Sequence, residues 1–155
     1  MKRFIPLFVA LFFSTICFAQ NNVSIKDFCY YDRDMNTIET HSQDQIIKSL
    51  KKKGFVISKT EYSKEEGAGG YETTFKYVTM YQKRTGTTVL IFDDFGPESI
   101  TFNNANVAKS FAREAVNAGY AEYSNGEYMI VNSGNFGVSS FSIKGKSVFL
   151  SISVP

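Results

Sequence analysis

The sequence of 155 residues contains no tryptophan, a single histidine and only two cysteines. One histidine, His41, excludes a metal site with two histidine ligands and any mechanism that pairs two histidines. No G-x-S-x-G motif occurs, so the strand-to-helix elbow of a serine hydrolase is not indicated. The residues therefore predict no cofactor and no metal, and a hydrolase would have to be centred on His41, Cys29 and Asp32.

The first nineteen residues have the order of a cleavable secretory signal. Lys2 and Arg3 provide the positive start, an apolar stretch runs from about residue 7 to residue 16, and permissive residues end it before a polar mature start. This stretch is shorter than the roughly twenty residues that span a membrane. Ile16 precedes Cys17 where a lipoprotein signal has a small residue. We therefore expect cleavage after Ala19 and an exported protein, either periplasmic or secreted.

The chain also lacks an excess of charge once the signal is removed. Without Lys2 and Arg3, the 15 remaining basic residues balance the 15 acidic ones. Nucleic-acid binding normally requires a strongly basic face. The one basic cluster, residues 51–53, falls at a predicted helix end, where cations suit the helix dipole. The expected partners therefore include no nucleic acid, and no membrane span is expected after signal cleavage.

Cysteine is nearly absent from the predicted mature chain, because cleavage leaves Cys29 alone. No intramolecular disulfide can then form, and a lone thiol in an exported protein is either buried or paired between chains. Cys29 stands in the apolar run Phe28-Cys29-Tyr30-Tyr31, which predicts a buried side chain. A disulfide-linked homodimer is the alternative.

A weak internal repeat is the most informative feature that is present. The strings IIKSL, from Ile46, and VAKSF, from Val107, each begin an amphipathic pattern that ends at a glycine followed by an aromatic residue. Such a glycine typically stops a helix, because it adopts positive φ without a Cβ clash. The start and stop signals are Ser42 with Gln45, Asn103 or Asn104, Gly54-Phe55 and Gly119-Tyr120.

After each predicted helix the hydrophobic period changes from about 3.6 to about 2 residues, which indicates strands. We expect strands near residues 55–62, 73–83 and 87–93 in the first unit, and near 120–124, 127–132, 138–143 and 147–154 in the second. The sequence therefore predicts one α+β domain over residues 20–155. It would consist of two tandem helix-plus-strand units, about 36–95 and 97–155, that share one curved antiparallel sheet with both helices on one face.

Aligning the two units assigns a face to each strand residue. In the last strand Val148, Leu150, Ile152 and Val154 alternate with Phe149, Ser151 and Ser153, which places the first four toward the core. The alignment also assigns five residues of the first unit to the core face: Val89, Ile91, Phe75, Tyr77 and Tyr81. The residues left on the other face form the predicted binding surface: Val78, Met80, Leu90, Phe92 and Phe149. The competing hypothesis is that residues 23–31 cover this surface as additional core.

Other motifs favour structural interpretations. Asp32, Asp34 and Asn36 have calcium-loop spacing, but Thr37 and Gln43 occupy the positions of the required glycine and glutamate, so a polar turn is expected. The glycine-rich residues 67–70 lie between predicted strands and indicate a hairpin tip instead of a phosphate loop. Asp93 and Asp94 are adjacent in a strand and should point to opposite faces.

The sequence thus predicts a non-enzymatic exported module that binds a protein through an apolar sheet face or an aromatic loop rim. Tyrosines near strand ends would form that rim, at Tyr62, Tyr71, Tyr120, Tyr123 and Tyr128. The alternatives are the small hydrolase at His41, Cys29 and Asp32, and a protein that binds a small ligand or carbohydrate.

Overall fold

A computed structural model describes residues 23–66, 70–134 and 137–153. The predicted signal segment and Val154 lie outside these ranges. The described chain has an α+β fold in which one large antiparallel sheet of eight strands carries two helices on one face, and a two-stranded ribbon precedes them. The predicted fold class is confirmed at this level.

The elements follow one another along the chain with short connections. The helices are α1, Gln43–Lys52, and α2, Ala105–Asn117. The strands are β1 Cys29–Asp32, β2 Thr37–Thr40, β3 Val56–Glu66, β4 Glu72–Gln82, β5 Thr87–Phe92, β6 Gly96–Thr101, β7 Ala121–Ser124, β8 Glu127–Ile130, β9 Gly137–Lys144 and β10 Ser147–Ser153. Strands β1 and β2 form the ribbon, and the large sheet has the order β3-β4-β5-β6-β10-β9-β8-β7.

Both helices end by the predicted glycine mechanism. Gly54 and Gly119 adopt positive φ, at 83° and 76°. In α1 the Phe55 N–H donates to the Leu50 carbonyl at 3.1 Å, and in α2 the Tyr120 N–H donates to the Ala115 carbonyl at 2.9 Å. These bonds satisfy carbonyls that a helix end leaves without an intrahelical donor. At the helix starts, Gln45 Oε1 accepts from the Ser42 N–H at 3.0 Å, and Asn104 Oδ1 accepts from the Val107 N–H at 3.1 Å.

The core lies between the helices and one face of the sheet. Phe111 of α2 stands at its centre, with ring centroids 5.9 Å from Phe102 and 5.7 Å from Phe141. The helix residues buried here recur at helical spacing, as expected for amphipathic helices that cover a sheet: Ile46, Ile47 and Leu50 from α1, and Ala108, Phe111, Ala112 and Ala115 from α2. From the sheet, Val78, Met80, Val89, Ile91, Ile100, Val148 and Leu150 are buried.

The N-terminal segment belongs to this same core. Phe28 is fully buried, with its ring centroid 6.5 Å from that of Phe111. The buried Asp27 carboxylate accepts from Ser49 Oγ at 2.8 Å and pairs with Lys53 Nζ at 2.6 Å, which fastens the segment to α1. The hypothesis that residues 23–31 cover the opposite sheet face is therefore wrong. The prediction of a buried Cys29 is confirmed.

Several strand predictions need correction. The sequence pattern missed β1 and β2, because each has only four residues and the ribbon turn at Asp34 and Asn36 was expected to lead directly into a helix. It also missed β6, which begins at Gly96 and contains Pro97, residues that normally punctuate strands. The Asn125-Gly126 dipeptide, a strong hairpin signal between the predicted strands near 120–124 and 127–132, forms a two-residue turn in which both residues have positive φ. Across the described residues, neither helix combines the length and the apolar character needed to cross a bilayer.

Candidate functional site

The face of the large sheet that points away from the helices is the candidate site, and we call it the open face. Cross-strand pairing assigns its residues, because directly paired residues in an antiparallel sheet lie on the same face. Tyr77 pairs with Phe92, and Leu90 pairs with both Thr79 and Ser99. Phe149 pairs with Ser99 and Ser142. The open face therefore continues from β4 across the centre of the sheet to β9.

Four aromatic residues at one end of the open face form what we call the aromatic cluster: Phe75, Tyr77, Phe92 and Phe95. The Tyr77 and Phe92 rings stack at 4.7 Å between centroids, and Phe92 lies 5.2 Å from both Phe75 and Phe95. All four side chains remain partly exposed. Offset aromatic contacts stabilise such a group beyond simple burial. The cluster thus packs largely on itself and still presents ring surface to solvent.

Carboxylates border the aromatic cluster. Glu61 pairs with Tyr77 across β3 and β4, and its charge is already matched by Lys59 at 2.7 Å. Partial desolvation, followed by the charges of Glu98 and Glu65, raises the pKa of Tyr77 above its ordinary value. Neither Glu65 nor Glu98 forms an ion pair with another described residue. This end of the open face is therefore aromatic with an acidic border.

Away from the cluster the open face consists mainly of hydroxyl side chains, with the exposed rings of Tyr81 and Phe149 among them. Phe149 is 46% exposed, and Lys144 Nζ lies 5.9 Å from its ring centroid. Thr101 and Ser147 pair across β6 and β10, with 3.3 Å between their hydroxyl oxygens. Hydroxyls can donate or accept, so this part of the face can adapt its hydrogen bonds to a partner.

The structure divides the five residues predicted for the binding surface. Leu90, Phe92 and Phe149 lie on the open face, as predicted. Val78 and Met80 do not, because they are buried beneath the helices, with 1% and 0% of their side chains exposed. The prediction for these two residues is wrong.

The inward assignment of Phe75, Tyr77 and Tyr81 is wrong for the same reason, since these side chains occupy the open face in place of Val78 and Met80. Tyr81 pairs with Thr88, whereas Met80 pairs with the buried Val89. Of the residues assigned inward, Val89, Ile91, Val148 and Leu150 are buried as expected.

The error arose from the length of one hairpin loop. The β9–β10 hairpin has a two-residue loop, and its core-facing pair, Ile143 and Val148, lies two residues before and two residues after that loop. The β4–β5 hairpin has a four-residue loop, and its core-facing pair, Met80 and Val89, lies three residues before and three residues after it. A shift of one residue moves every side chain of a strand to the other face. Because β4 is apolar on both faces, its own alternation could not reveal the shift.

Phe95 was missed altogether. It lies in a short 3-10 turn after β5, Asp93–Phe95, which brings its ring back to 6.3 Å from Phe75. The expected strand orientation of Asp93 is also wrong, since Asp93 begins this turn with a φ of 40°. An aromatic residue directly before Gly-Pro was the available signal, since that dipeptide marks a turn.

The three residues of the predicted hydrolase site are not brought together. Cys29 pairs with Thr40 in the β1–β2 ribbon, whereas His41 follows β2 and its ring stacks on that of Tyr30, with 5.0 Å between the ring centroids. Burial, with a smaller contribution from Glu39, raises the pKa of the Cys29 thiol to about 12, which opposes thiolate formation. His41 Nδ1 is buried and has no hydrogen-bond partner among the described residues.

Asp32 serves the ribbon turn. Its Oδ1 accepts from the N–H groups of Asp34 and Met35 at 2.9 and 3.2 Å, which is the geometry of an Asx turn. These contacts explain the alternating acidic spacing without calcium. Among the described residues no group of three or more His, Cys, Asp or Glu side chains converges to hold a metal ion.

A surface groove lies beside one candidate residue on the helix side of the molecule. His41 borders this groove of about 260 Å³, which is lined by polar residues of α1, including Gln45, Ser49 and Lys52. The space between the helices and the sheet is occupied by the rings around Phe111. A small ligand would therefore need a site other than the space between the helices and the sheet.

No protein-family model, no curated protein and no solved structure matches the chain significantly.

Proposed function

We propose that this protein is an exported, non-enzymatic binding module that presents the open face of its sheet to a protein partner. One observation carries the proposal: the described helices and the N-terminal segment all pack on one face, while the other face keeps a partly exposed aromatic cluster, with Leu90 and Phe149 among hydroxyl side chains beyond it. Exposed apolar surface of this kind commonly marks an interaction site.

The chemistry of the open face supports a protein partner. Protein interfaces combine a central group of aromatic side chains with a polar border. The aromatic cluster supplies such a centre, and the hydroxyls of β6 and β10 together with Glu65 and Glu98 supply the border. The unmatched carboxylates favour a partner surface that carries lysine or arginine opposite them.

The alternatives have weaker support. A hydrolase at His41, Cys29 and Asp32 would need an activated nucleophile, but the thiol is buried with a raised pKa and Asp32 is engaged in a turn. A carbohydrate site would use exposed ring faces, whereas Tyr77 and Phe92 cover each other by stacking.

Export is part of the proposal and rests on the N-terminal sequence. Lys2, Arg3 and the apolar stretch that follows have the signal pattern. N-terminal sequencing of the protein recovered from the periplasm or culture medium of its source organism is expected to start at Gln20. Recovery from the cytoplasm with the first residues intact would contradict it.

We further propose that the domain consists of two tandem units, each a helix followed by four strands. The first would join α1 to β3–β6 and the second α2 to β7–β10, with β6 and β10 adjacent at the centre of the sheet. The matching glycine-aromatic helix ends at Gly54 and Gly119 support this division. The first unit would then extend to Thr101, beyond the boundary near residue 95 that the sequence indicated.

Site-specific photo-crosslinking tests the binding function. A photoreactive phenylalanine analogue at position 149 places the reactive group on the open face with little perturbation, because Phe149 is already exposed and aromatic. The same analogue at Val116, an exposed apolar residue of α2 at 37%, is the matched control on the helix side. In the source organism's envelope and secreted fractions we expect a discrete protein adduct from position 149 and not from position 116.

A substitution on the open face distinguishes specific binding of a partner from nonspecific crosslinking. Leu90→Lys introduces a charge in the middle of the open face and should abolish the adduct, while Val116→Lys should leave it unchanged. Identical adducts from both crosslinking positions, or an adduct that survives Leu90→Lys, would contradict the proposed function.

A further inference from the structure

Strand β3 presents a long edge that no other described strand covers. It has eleven residues, Val56–Glu66, and pairs along its whole length with β4 on one side only. All of its side chains are exposed except Ser63, which is intermediate. The opposite edge of the sheet, β7, has only four residues.

An unpaired strand of this length normally carries protection. Proteins blunt sheet edges by keeping them short, by charged side chains, by proline, by bulges or by covering them. The charged side chains of β3 are of both signs, so they oppose another strand in some registers and attract it in others. β3 contains neither proline nor glycine, and its one irregularity lies near its start, between Ile57 and Lys59. From Lys59 to Glu66 its backbone is a regular template for another strand.

The outer part of the β3–β4 hairpin is also poorly supported. β5 pairs with β4 only from Tyr77 onward, so residues 72–76 of β4 pair with β3 alone. A two-stranded hairpin is marginally stable in water, and additional strands stabilise it. An extra strand beside β3 would therefore stabilise the part of the sheet that lacks a third strand.

Side-chain faces restrict how a second copy of this chain could supply that strand. When a two-fold axis relates two antiparallel β3 strands, the open faces of both copies lie on the same side of the joined sheet. A residue of one copy can therefore pair only with a residue of the other copy that points to the same face. Pairing with β4 places Lys59, Glu61 and Glu65 on the open face, beside Thr79, Tyr77 and Thr73 respectively. Thr60, Tyr62 and Lys64 lie on the other face.

Charge then selects among the registers. If the two-fold axis passes through Glu61, the Glu61 side chains of the two copies lie directly opposite each other. If it passes through Ser63, Glu61 of each copy lies opposite Glu65 of the other. An axis at Thr60 pairs Lys59 with Glu61 but engages the irregular start of the strand. Opposite charges that face each other across strands stabilise a pair, and like charges destabilise it. The axis at Tyr62 satisfies this rule over the regular part of the strand, since it places each Lys59 opposite the Glu65 of the other copy.

We propose that β3 pairs with the β3 of a second copy of this chain, antiparallel and centred on Tyr62. The two sheets then form one sheet of sixteen strands, with both open faces on the same side. Lys59, which already contacts Glu61 at 2.7 Å, gains Glu65 of the other copy as a second partner. This inference is independent of the partner proposed for the open face.

Cysteine crosslinking at the axis tests the register. Facing residues of antiparallel strands have Cα atoms about 4.5–5.5 Å apart, within the range of a disulfide. Tyr62→Cys should therefore form a self-disulfide rapidly on mild oxidation with diamide. Tyr71→Cys is the control, because Tyr71 is at least as accessible as Tyr62, at 79% against 68%, but directly precedes β4 on the other arm of the hairpin. Cys17 is replaced by serine in both variants, so that the only other thiol is the buried Cys29.

A charge exchange tests the energetics without a covalent bond. Lys59→Glu and Glu65→Lys each turn both attractive contacts into repulsive ones, and each should weaken dimerisation by about tenfold or more. A mixture of the two variants restores both attractions and should form heterodimers with near-original affinity. Sedimentation equilibrium measures all three cases, and circular dichroism confirms that each variant is folded.

The outcomes are decisive in both directions. Faster crosslinking at position 62 than at position 71, together with restoration in the mixture, supports the dimer. A monomeric mass at every concentration, or equal crosslinking at the two positions, overturns it. Dimerisation that ignores both charge variants would place the interface elsewhere and also overturn the β3 register.

Discussion

Met80 and Leu90 provide a direct test of which sheet face is core. They lie on adjacent strands, where Met80 pairs with Val89 and Leu90 is the next residue along. Both lose three heavy atoms on substitution by alanine, so the size of the deletion is matched. Met80 is fully buried beneath the helices, whereas Leu90 lies half-buried on the open face.

The expected magnitudes differ because only one deletion leaves a cavity. Met80→Ala should lower the free energy of unfolding by about 3 kcal/mol, within the range of roughly 2–5 kcal/mol for fully buried methionine or leucine. Leu90→Ala leaves no enclosed void, and its partial burial predicts a loss of about 1 kcal/mol. At roughly 3 °C per kcal/mol for a domain of this size, the melting temperatures should differ by about 6 °C.

Urea denaturation followed by far-ultraviolet circular dichroism measures these differences, since the chain has no tryptophan to report unfolding. If the slope of the unfolding free energy against urea concentration is the same in both variants and in the original protein, a shift in the urea midpoint reports a change in stability. Equal losses for the two variants would refute the assignment of faces, because Leu90 would then be as well packed as Met80. The proposed binding surface would fail with it.

Three further outcomes follow from individual contacts. Asp27→Asn should lower the unfolding free energy by about 1–3 kcal/mol in urea titrations, because it weakens the bonds to Ser49 and Lys53 inside the core. Gly96→Ala should lower the free energy of unfolding by more than about 1 kcal/mol, because φ at this position is 101° and an added Cβ would collide with Thr40 Cγ2. Because Thr40→Ser removes that methyl group, the double variant should recover part of the lost stability. Cys29 should resist alkylation by iodoacetamide at pH 9 in the native state, where its pKa of about 12 leaves it protonated, and should react readily in denaturant at the same pH; equal rates in both conditions would contradict its burial.

The open face shows why site prediction from sequence was only partly successful. Leu90, Phe92 and Phe149 alternate with buried residues on strands whose pattern is informative, and they were placed correctly. On β4 the inward Val78 and Met80 alternate with the outward Tyr77 and Tyr81. Because both sets are apolar, hydrophobicity cannot distinguish the two faces, and only the hydrogen-bonded register with β5 does.

The sequence by itself determined the features that depend on neighbouring residues. Glycine followed by an aromatic residue fixed the end of both helices, Asn125-Gly126 fixed a hairpin, and the burial of Cys29 followed from its apolar neighbours. These outcomes arise from local backbone sterics and short-range hydrophobic pattern, which a single chain segment contains in full.

Tertiary structure decided the features that depend on distant pairing. It decided that β6 lies beside β10, that the N-terminal segment completes the helix-side core, and that the rings of Phe75 and Phe95 meet. It also left β3, with its eleven residues, as a sheet edge that no other described strand covers. Strand order and register are set by contacts between residues far apart in the chain, and each one-residue change of register exchanges the buried face for the exposed one.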